Sequence, residues 1–258
     1  MTSRVTRLIL VAAVTAPVLA GCGGVGARLT FNDTEPPVTE IVMTGGSGDV
    51  MVRTAAIKET RISRVIHRNS DPSPTYRLEG SVLHIDTDCG NNCSVTYDIE
   101  APAGVGVRGE LRSGDVGLTG VGPTDITVTS GDIMVSKATS DVRAKATSGD
   151  VSVVDSAAKA TLHSTSGDVR ALNVKGAVDA QTTSGDVDVK LSAATSVTAK
   201  ATSGDVNVVV PAGSYQIHTD TGSGDSQIVG VINDPKAKNV IDVSAASGDA
   251  TVSALPAA

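Results

Sequence analysis

The tripeptide Ser-Gly-Asp recurs along most of the chain, and this recurrence is the feature that most constrains the fold. From Asp132 onward, successive motif aspartates are separated by 18, 18, 18, 19, 20 and 24 residues. A period that stays nearly constant over so many copies is typical of a structural repeat in which each copy packs against its neighbours. The motif aspartates are Asp49, Asp115, Asp132, Asp150, Asp168, Asp186, Asp205, Asp225 and Asp249.

Apolar and polar residues alternate on both sides of each motif, as they do in a β-strand with one buried face. The residue directly after the aspartate and the residue eight positions before it are apolar in most repeats, which excludes a helix. The pattern predicts an all-β, single-stranded β-solenoid (β-helix) of roughly 18-residue, two-strand coils with Ser-Gly-Asp corners. The first inward-facing column is Val50, Val116, Ile133, Val151, Val169, Val187 and Val206, weakening to Ser226 and Ala250, and the second is Ile41, Val107, Val142, Ala160, Val178, Val197, Ile217 and Ile241.

The composition suits such a body. Hydrophobic residues make up 40% of the chain but aromatic residues only 2%, so the core must be aliphatic and favours narrow, layered packing. Glycine permits a positive φ at each corner, and serine and aspartate can hydrogen-bond to nearby backbone N–H groups. Stacked corners would align a ladder of hydroxyl groups from Thr129, Thr147, Thr165, Thr183 and Thr202.

The N-terminus has the features of an export signal. Arg4 and Arg7 precede an apolar stretch at residues 8–19 that is too short to span a bilayer as a stable helix. The following Leu-Ala-Gly-Cys run, ending at Cys22, resembles the bacterial lipobox. That resemblance implies that Cys22 is joined to diacylglycerol and anchors the protein to the extracytoplasmic face of the cell membrane. An ordinary signal cleaved elsewhere, with Cys22 an incidental thiol, is the alternative.

Three segments are therefore predicted. Residues 1–21 form the lipoprotein signal peptide, residues 22–37 the lipidated cysteine and a Gly/Pro-rich flexible tether, and residues 38–255 the β-solenoid. Residues 51–106 lack the motif but keep the alternation of a strand, at residues 82–85 and 95–99 for example. This region is predicted to form wider or irregular coils of the same body.

Export also sets the expected state of the two remaining cysteines. Cys89 and Cys93 flank a Gly-Asn-Asn turn that brings their Cα atoms within range of a disulfide, and an oxidising compartment favours that bond. A metal site is the alternative, but His84 is the one further candidate ligand nearby.

The aspartates permit two interpretations. Asp132, Asp141 and Asp150 are spaced by nine residues, as in calcium-binding β-rolls, which also form 18-residue coils. However, the turns lack the Gly-Gly-x-Gly of that motif, and one carboxylate per coil is too few for an ion that takes six to eight oxygen ligands. A structural corner is the preferred interpretation, and a weak calcium site is the alternative. No other cofactor is predicted.

Catalysis is not expected. The four histidines, His67, His84, His163 and His218, are far apart in the sequence, and no Ser/His/Asp or Cys/His arrangement is apparent. A polysaccharide-active β-helix enzyme is a less favoured alternative, because the acids are dispersed one per coil. Removal of residues 1–21 leaves 19 basic and 28 acidic residues, a net charge of about −9, which argues against nucleic acid as a partner.

Several segments resemble the bacterial "putative adhesin" β-repeat family of envelope proteins. They are residues 46–50 (GSGDV), 97–104 (YDIEAPAG), the repeated TSGDV and residues 210–215 (VPAGSY), within a resemblance that spans residues 38–254. The resemblance implies a β-solenoid at the cell surface and supplies no catalytic residues. The predicted function is a membrane-anchored, non-catalytic, adhesin-like scaffold that contacts envelope polymers or surface proteins.

Overall fold

The computed structural model describes residues 27–68 and 74–255, which form two β-sheets of twelve strands each. Within these ranges no helix is both long and apolar enough to cross a membrane. The strands, in chain order, are β1 (Ala27–Glu35), β2 (Glu40–Thr44), β3 (Val50–Ala55), β4 (Thr60–Arg68), β5 (Tyr76–Glu79), β6 (Val82–Asp86), β7 (Ser94–Pro102), β8 (Gly106–Ser113), β9 (Val116–Thr119), β10 (Thr124–Ser130), β11 (Ile133–Ser136), β12 (Val142–Ser148), β13 (Val151–Val154), β14 (Ala160–Ser166), β15 (Val169–Val174), β16 (Val178–Ser184), β17 (Val187–Leu191), β18 (Val197–Ser203), β19 (Val206–Val210), β20 (Ser214–Ser223), β21 (Ser226–Val229), β22 (Ile232–Asn233), β23 (Val240–Ser247) and β24 (Ala250–Ala254).

From β6 to β22, consecutive strands alternate between the two sheets. Sheet A has the order β1-β4-β7-β3-β9-β11-β13-β15-β17-β19-β24-β21, and sheet B the order β22-β20-β23-β18-β16-β14-β12-β10-β8-β2-β6-β5. Two strands of each sheet, β1 and β4 in sheet A and β5 and β22 in sheet B, lie outside the repeated pairs. The other ten strands of each sheet form ten pairs, and we call one sheet B strand with its following sheet A strand a coil.

The predicted core lies between the sheets, because alternate side chains of both sets of strands point inward. Every member of the second column is at most 7% exposed, and the first column is buried except at Ser226. Neighbouring coils pair in parallel and in register, so that Val151 aligns with Ile133 on one side and Val169 on the other. The two-strand repeat and both columns are therefore confirmed.

The stacking order departs from the chain order at the C-terminal end. The last coil, β23–β24, lies between β18–β19 and β20–β21, which makes the penultimate coil the outermost one. This arrangement has a physical reason, since Ser226 of the outermost coil stands opposite Ala250, and Ile228 opposite the buried Val252. The more apolar coil occupies the interior and the more polar one faces solvent, as in terminal repeats of other stacked folds. The 24-residue interval before Asp249 contains the return of the chain over this end.

The opposite end is covered by antiparallel strands, which the sequence did not suggest. Residues 82–102 form a regular coil outside β2–β3, but β4 pairs antiparallel with β7, and β5 antiparallel with β6. The expectation of wider or irregular coils throughout residues 51–106 is thus only partly met. Alternation of polarity is shared by parallel and antiparallel strands, so it does not specify the direction of pairing.

Strand structure also begins earlier than expected. β1 occupies Ala27–Glu35, inside the stretch assigned to the tether, and pairs along its full length with β4. Phe31 packs against the core, and the Arg64 guanidinium lies 5.1 Å from its ring centroid and 4.7 Å from that of Tyr76. Arg64 also forms an ion pair with Asp33, with Nη2 and Oδ2 2.8 Å apart. These contacts fix β1 in the sheet, so residues 27–35 are not part of a flexible tether.

Candidate functional site

The motif aspartates form one continuous column along a corner of the stack. Each motif Asp Oδ1 except that of Asp225, which ends the column, accepts a hydrogen bond from the backbone N–H of the next aspartate along the stack, at N–O distances of 2.8 to 3.0 Å. The carboxylates therefore join neighbouring coils and brace their corners. In stacking order the column is Asp49, Asp115, Asp132, Asp150, Asp168, Asp186, Asp205, Asp249 and Asp225.

Asp141 lies at the opposite corner from this column. Its Oδ1 accepts a hydrogen bond from the backbone N–H of Lys159 at 3.2 Å. The seven residues of β12 separate Asp141 from Asp150, a length of about 20 Å in a strand. Asp132, Asp141 and Asp150 therefore do not converge on one point. In the part of the chain that the structure describes, no three His, Cys, Asp or Glu side chains are grouped as metal ligands.

We expect calcium to change the thermal stability of residues 23–258 very little. A site with a Kd near 10 µM would add about 2.7 kcal/mol at 1 mM free ion, because the ion would bind the folded state alone. Melting curves in 1 mM calcium and in excess chelator test this, with magnesium at equal ionic strength as the control for screening. A large rise with calcium alone, abolished by combined Asp132→Asn, Asp141→Asn and Asp150→Asn, would restore the calcium interpretation.

One arginine bridges part of the aspartate column. Arg170 Nη1 lies 3.2 Å from Asp150 Oδ2, Nη2 contacts Asp168 Oδ2, and Nε lies 4.0 Å from Asp188 Oδ2. These groups are partly exposed, so each pair contributes little to stability. Their main effect is local, since they offset the repulsion between stacked carboxylates at this level.

The other predicted site residues lie apart from the aspartate column. Cys89 and Cys93 are joined by a disulfide with Cα atoms 5.3 Å apart, in the turn between β6 and β7. His84 instead points to Glu79, with Nε2 and Oε2 3.4 Å apart. Cys22 lies outside the described residues. The four histidines are on four different strands, β4, β6, β14 and β20, and Thr129, Thr147, Thr165, Thr183 and Thr202 are exposed at equivalent positions of successive coils.

Tyr97 and Tyr76, whose pKa values are raised, lie at the end of the stack that the antiparallel strands cover. Burial raises the pKa of Tyr97 to about 12, and its hydroxyl donates to the carbonyl oxygens of Thr75 and, at 3.1 Å, Asp86. The pKa of Tyr76 is also raised, first by burial and then by its hydrogen bond to Glu35. Both phenols therefore remain neutral donors at physiological pH and hold the segment before β6 against the stack.

A charged groove of about 650 Å³ crosses five coils on sheet B, at the corner opposite the aspartate column. Gly104 and Gly106 line it beside Pro123 and have no side chains to fill it, and a Cβ at Gly106 would lie 3.5 Å from the Pro123 carbonyl oxygen. This groove was not predicted from the sequence. The available signal was the alternation of charge at equivalent positions of successive coils, in Arg108, Asp125 and Arg143.

A smaller apolar notch of about 260 Å³ lies on the outer face of sheet A. Met51 and Met134 are 45% and 59% exposed and flank Gly117, which has no side chain to fill the space between them. A Cβ at Gly117 would lie 2.3 Å from the Met51 sulfur, so a larger residue there would displace the flexible Met51 side chain.

These features define an all-β repeat protein with an aliphatic core, a braced corner and two broad outer faces. The Toastrack DUF4097 family model matches residues 108–253, more than half of the chain, and the protein belongs to this family. No curated protein matches the sequence.

Two solved structures share the fold, and both are described as a "putative adhesin". The protein from Parabacteroides distasonis is 14% identical, with a TM-score of 0.54 over 89% of this chain and 98% of that one. The protein from Bacteroides fragilis is 15% identical, with a TM-score of 0.52 over 89% and 97% of the two chains. At these identities the likeness concerns the fold alone.

Proposed function

We propose that the protein is a β-solenoid held at the outer face of the cell membrane through acylated Cys22, where it acts as a non-catalytic, adhesin-like scaffold. The observation that carries this proposal is that the contacts between coils use one corner and the interior of the protein, and not its outer faces. The aspartate column and the inward side chains hold the coils together, which leaves the outer faces of the sheets available for contacts. Stacked repeat proteins commonly bind partners through such extended faces.

The likeness to two proteins that are each described as a "putative adhesin" supports a binding role over catalysis. The dispersal of the histidines over four strands supports the same choice, because acid–base chemistry needs its groups within hydrogen-bond reach of one substrate. The proposed partners are envelope polymers or surface proteins. The negative charge of the chain disfavours a general affinity for polyanions, so recognition requires local features of the surface.

Replacement of Cys22 by alanine is expected to move the protein from the membrane fraction to the soluble or unprocessed pool. The lipid anchor needs the Cys22 thiol, and two or more acyl chains give stable attachment where one does not. Cell fractionation with immunoblotting measures the change. The control is Cys89→Ala with Cys93→Ala, which removes the other two cysteines and should leave the protein in the membrane. Membrane retention of a correctly cleaved Cys22→Ala protein would contradict the anchor.

Residues 23–258, which include every described residue, are expected to bind isolated cell envelopes saturably. Co-sedimentation measures the bound fraction, with the heat-unfolded protein as the control for adsorption. Envelopes treated with detergent and protease retain polymers but not proteins, so continued binding would assign the partner to the polymers. No saturable binding to any envelope preparation would overturn the scaffold proposal.

A further inference from the structure

The charged groove has an order of charges that suits one class of ligand. We propose that it binds a linear glycan with a carboxylate on every second sugar. This inference rests on the proposed scaffold function and names the substrate class for it. The groove follows the stacking direction across the coils that begin with β2, β8, β10, β12 and β14.

Three charged residues occupy one position on three neighbouring strands. Arg108 of β8, Asp125 of β10 and Arg143 of β12 are in register, so a carboxylate lies between two guanidinium groups. Because adjacent strands are about 4.8 Å apart, the two arginines stand about 10 Å apart along the groove. Lys159 adds a cation on the following coil.

These charges are only partly neutralised by neighbours. Arg108 forms an ion pair with Glu40. Among the described residues, no ion pair within 4.0 Å joins Asp125 to either arginine, or gives Arg143 or Lys159 a carboxylate. All three of Asp125, Arg143 and Lys159 are exposed in the groove. Asp141 also lines the groove, so a bound molecule meets charges of both signs there.

A linear pyranose chain advances per sugar by a length close to the spacing of the coils. A chain that lies in the groove thus presents about one sugar to each coil. Carboxylates on alternate sugars would meet Arg108 and Arg143, which bind such groups through paired N–H donors. The sugar between them faces Asp125, which accepts hydrogen bonds from hydroxyl or acetamido N–H groups and repels a carboxylate. Asp125 therefore favours a glycan with a carboxylate on every second sugar over one with a carboxylate on every sugar.

Three oligosaccharides test this selection by calorimetric titration of residues 23–258. They are a hyaluronan oligosaccharide, whose carboxylates alternate, an oligogalacturonate, with one on every sugar, and a neutral chitin oligosaccharide. We expect the hyaluronan oligosaccharide to bind about tenfold tighter than the other two. Equal binding of all three, or no binding of the hyaluronan oligosaccharide, would overturn the inference.

Matched variants place the binding in the groove. Arg143→Gln with Lys159→Gln is expected to weaken hyaluronan binding about tenfold. The control, Lys190→Gln with Lys236→Gln, removes the same charge from exposed residues outside the groove and should leave binding unchanged. Asp125→Asn should improve binding of the oligogalacturonate, a change that lost folding would not produce. Equal loss in both double variants would mean that bulk charge is responsible and would overturn the inference.

The envelope assay separates this inference from the scaffold function. If the Arg143→Gln, Lys159→Gln protein still binds envelopes like the parent, the groove is not the binding site and the scaffold function stands. If the parent binds the hyaluronan oligosaccharide but no envelope preparation, the groove chemistry stands and the scaffold function fails.

Discussion

Replacement of Gly167 by alanine is expected to destabilise the protein by about 4 kcal/mol or more, one of the larger effects that a single methyl group produces. Gly167 has a φ of +145°, which L side chains rarely adopt. A Cβ there would lie 2.2 Å from the carbonyl oxygen of Gly149 in the neighbouring coil. That carbonyl is unable to move away, because backbone hydrogen bonds of 2.9 Å hold both glycines in the ladder.

Gly80 provides the matched control. It has a φ of +64°, but an added Cβ would meet no atom within 4 Å. Gly80→Ala should therefore cost about 1 kcal/mol, the strain of a left-handed residue alone. Urea denaturation of both variants measures the two costs. A similar cost for Gly167→Ala and Gly80→Ala would mean that the corner tolerates side chains and that the stacked-carbonyl contact is relaxed.

The central coils were predictable from the sequence because equivalent positions of successive repeats have the same burial and therefore the same type of residue. The position after each motif aspartate is apolar where it is enclosed and turns to serine at Ser226, where the stack ends. The recurrence of glycine in the motif likewise matches a contact that every coil makes with the next. The alternation around one motif, repeated along the chain, thus predicts most of the fold.

The two ends were not predictable in this way. Local alternation specifies which face of a strand is buried, but it does not specify which strand is its neighbour. The coil β23–β24 lies inside β20–β21. Each of the two coils has the alternation of a strand, so the alternation alone does not indicate which one lies outermost. The cap formed by β1, β4 and β5 depends on pairings at long range and on the packing of Arg64 between Phe31 and Tyr76.

The candidate groove was hidden for a related reason. Its charged residues belong to different repeats, and each one alone is an ordinary outward-facing polar residue. Arg108, Asp125 and Arg143 become a pattern only when the register of β8, β10 and β12 is known. The aspartate column was visible because its members are identical, whereas the groove has members that differ.

The claim on which the fold and the proposed surfaces both depend is that 18 residues make one interchangeable coil. Deletion of residues 169–186 removes one coil and joins Asp168 to Val187, which are the residues that precede and begin a sheet A strand. Deletion of residues 169–177 joins Asp168 to Val178, the start of a sheet B strand. Each later strand then falls in the wrong sheet, and each later motif falls at the wrong corner.

Urea unfolding of the two deletion variants tests this claim most directly, because the m-value scales with the surface that cooperative unfolding exposes. The variant that lacks residues 169–186 should fold, with an m-value about one tenth below that of the parent, since nine coils remain. Deletion of residues 160–177, an 18-residue coil in another frame, should behave in the same way. Deletion of residues 169–177 should lower the m-value by about 40%, because the four coils beyond the deletion no longer stack. Equal m-values and equal stability for the 9-residue and 18-residue deletions would contradict the two-strand coil.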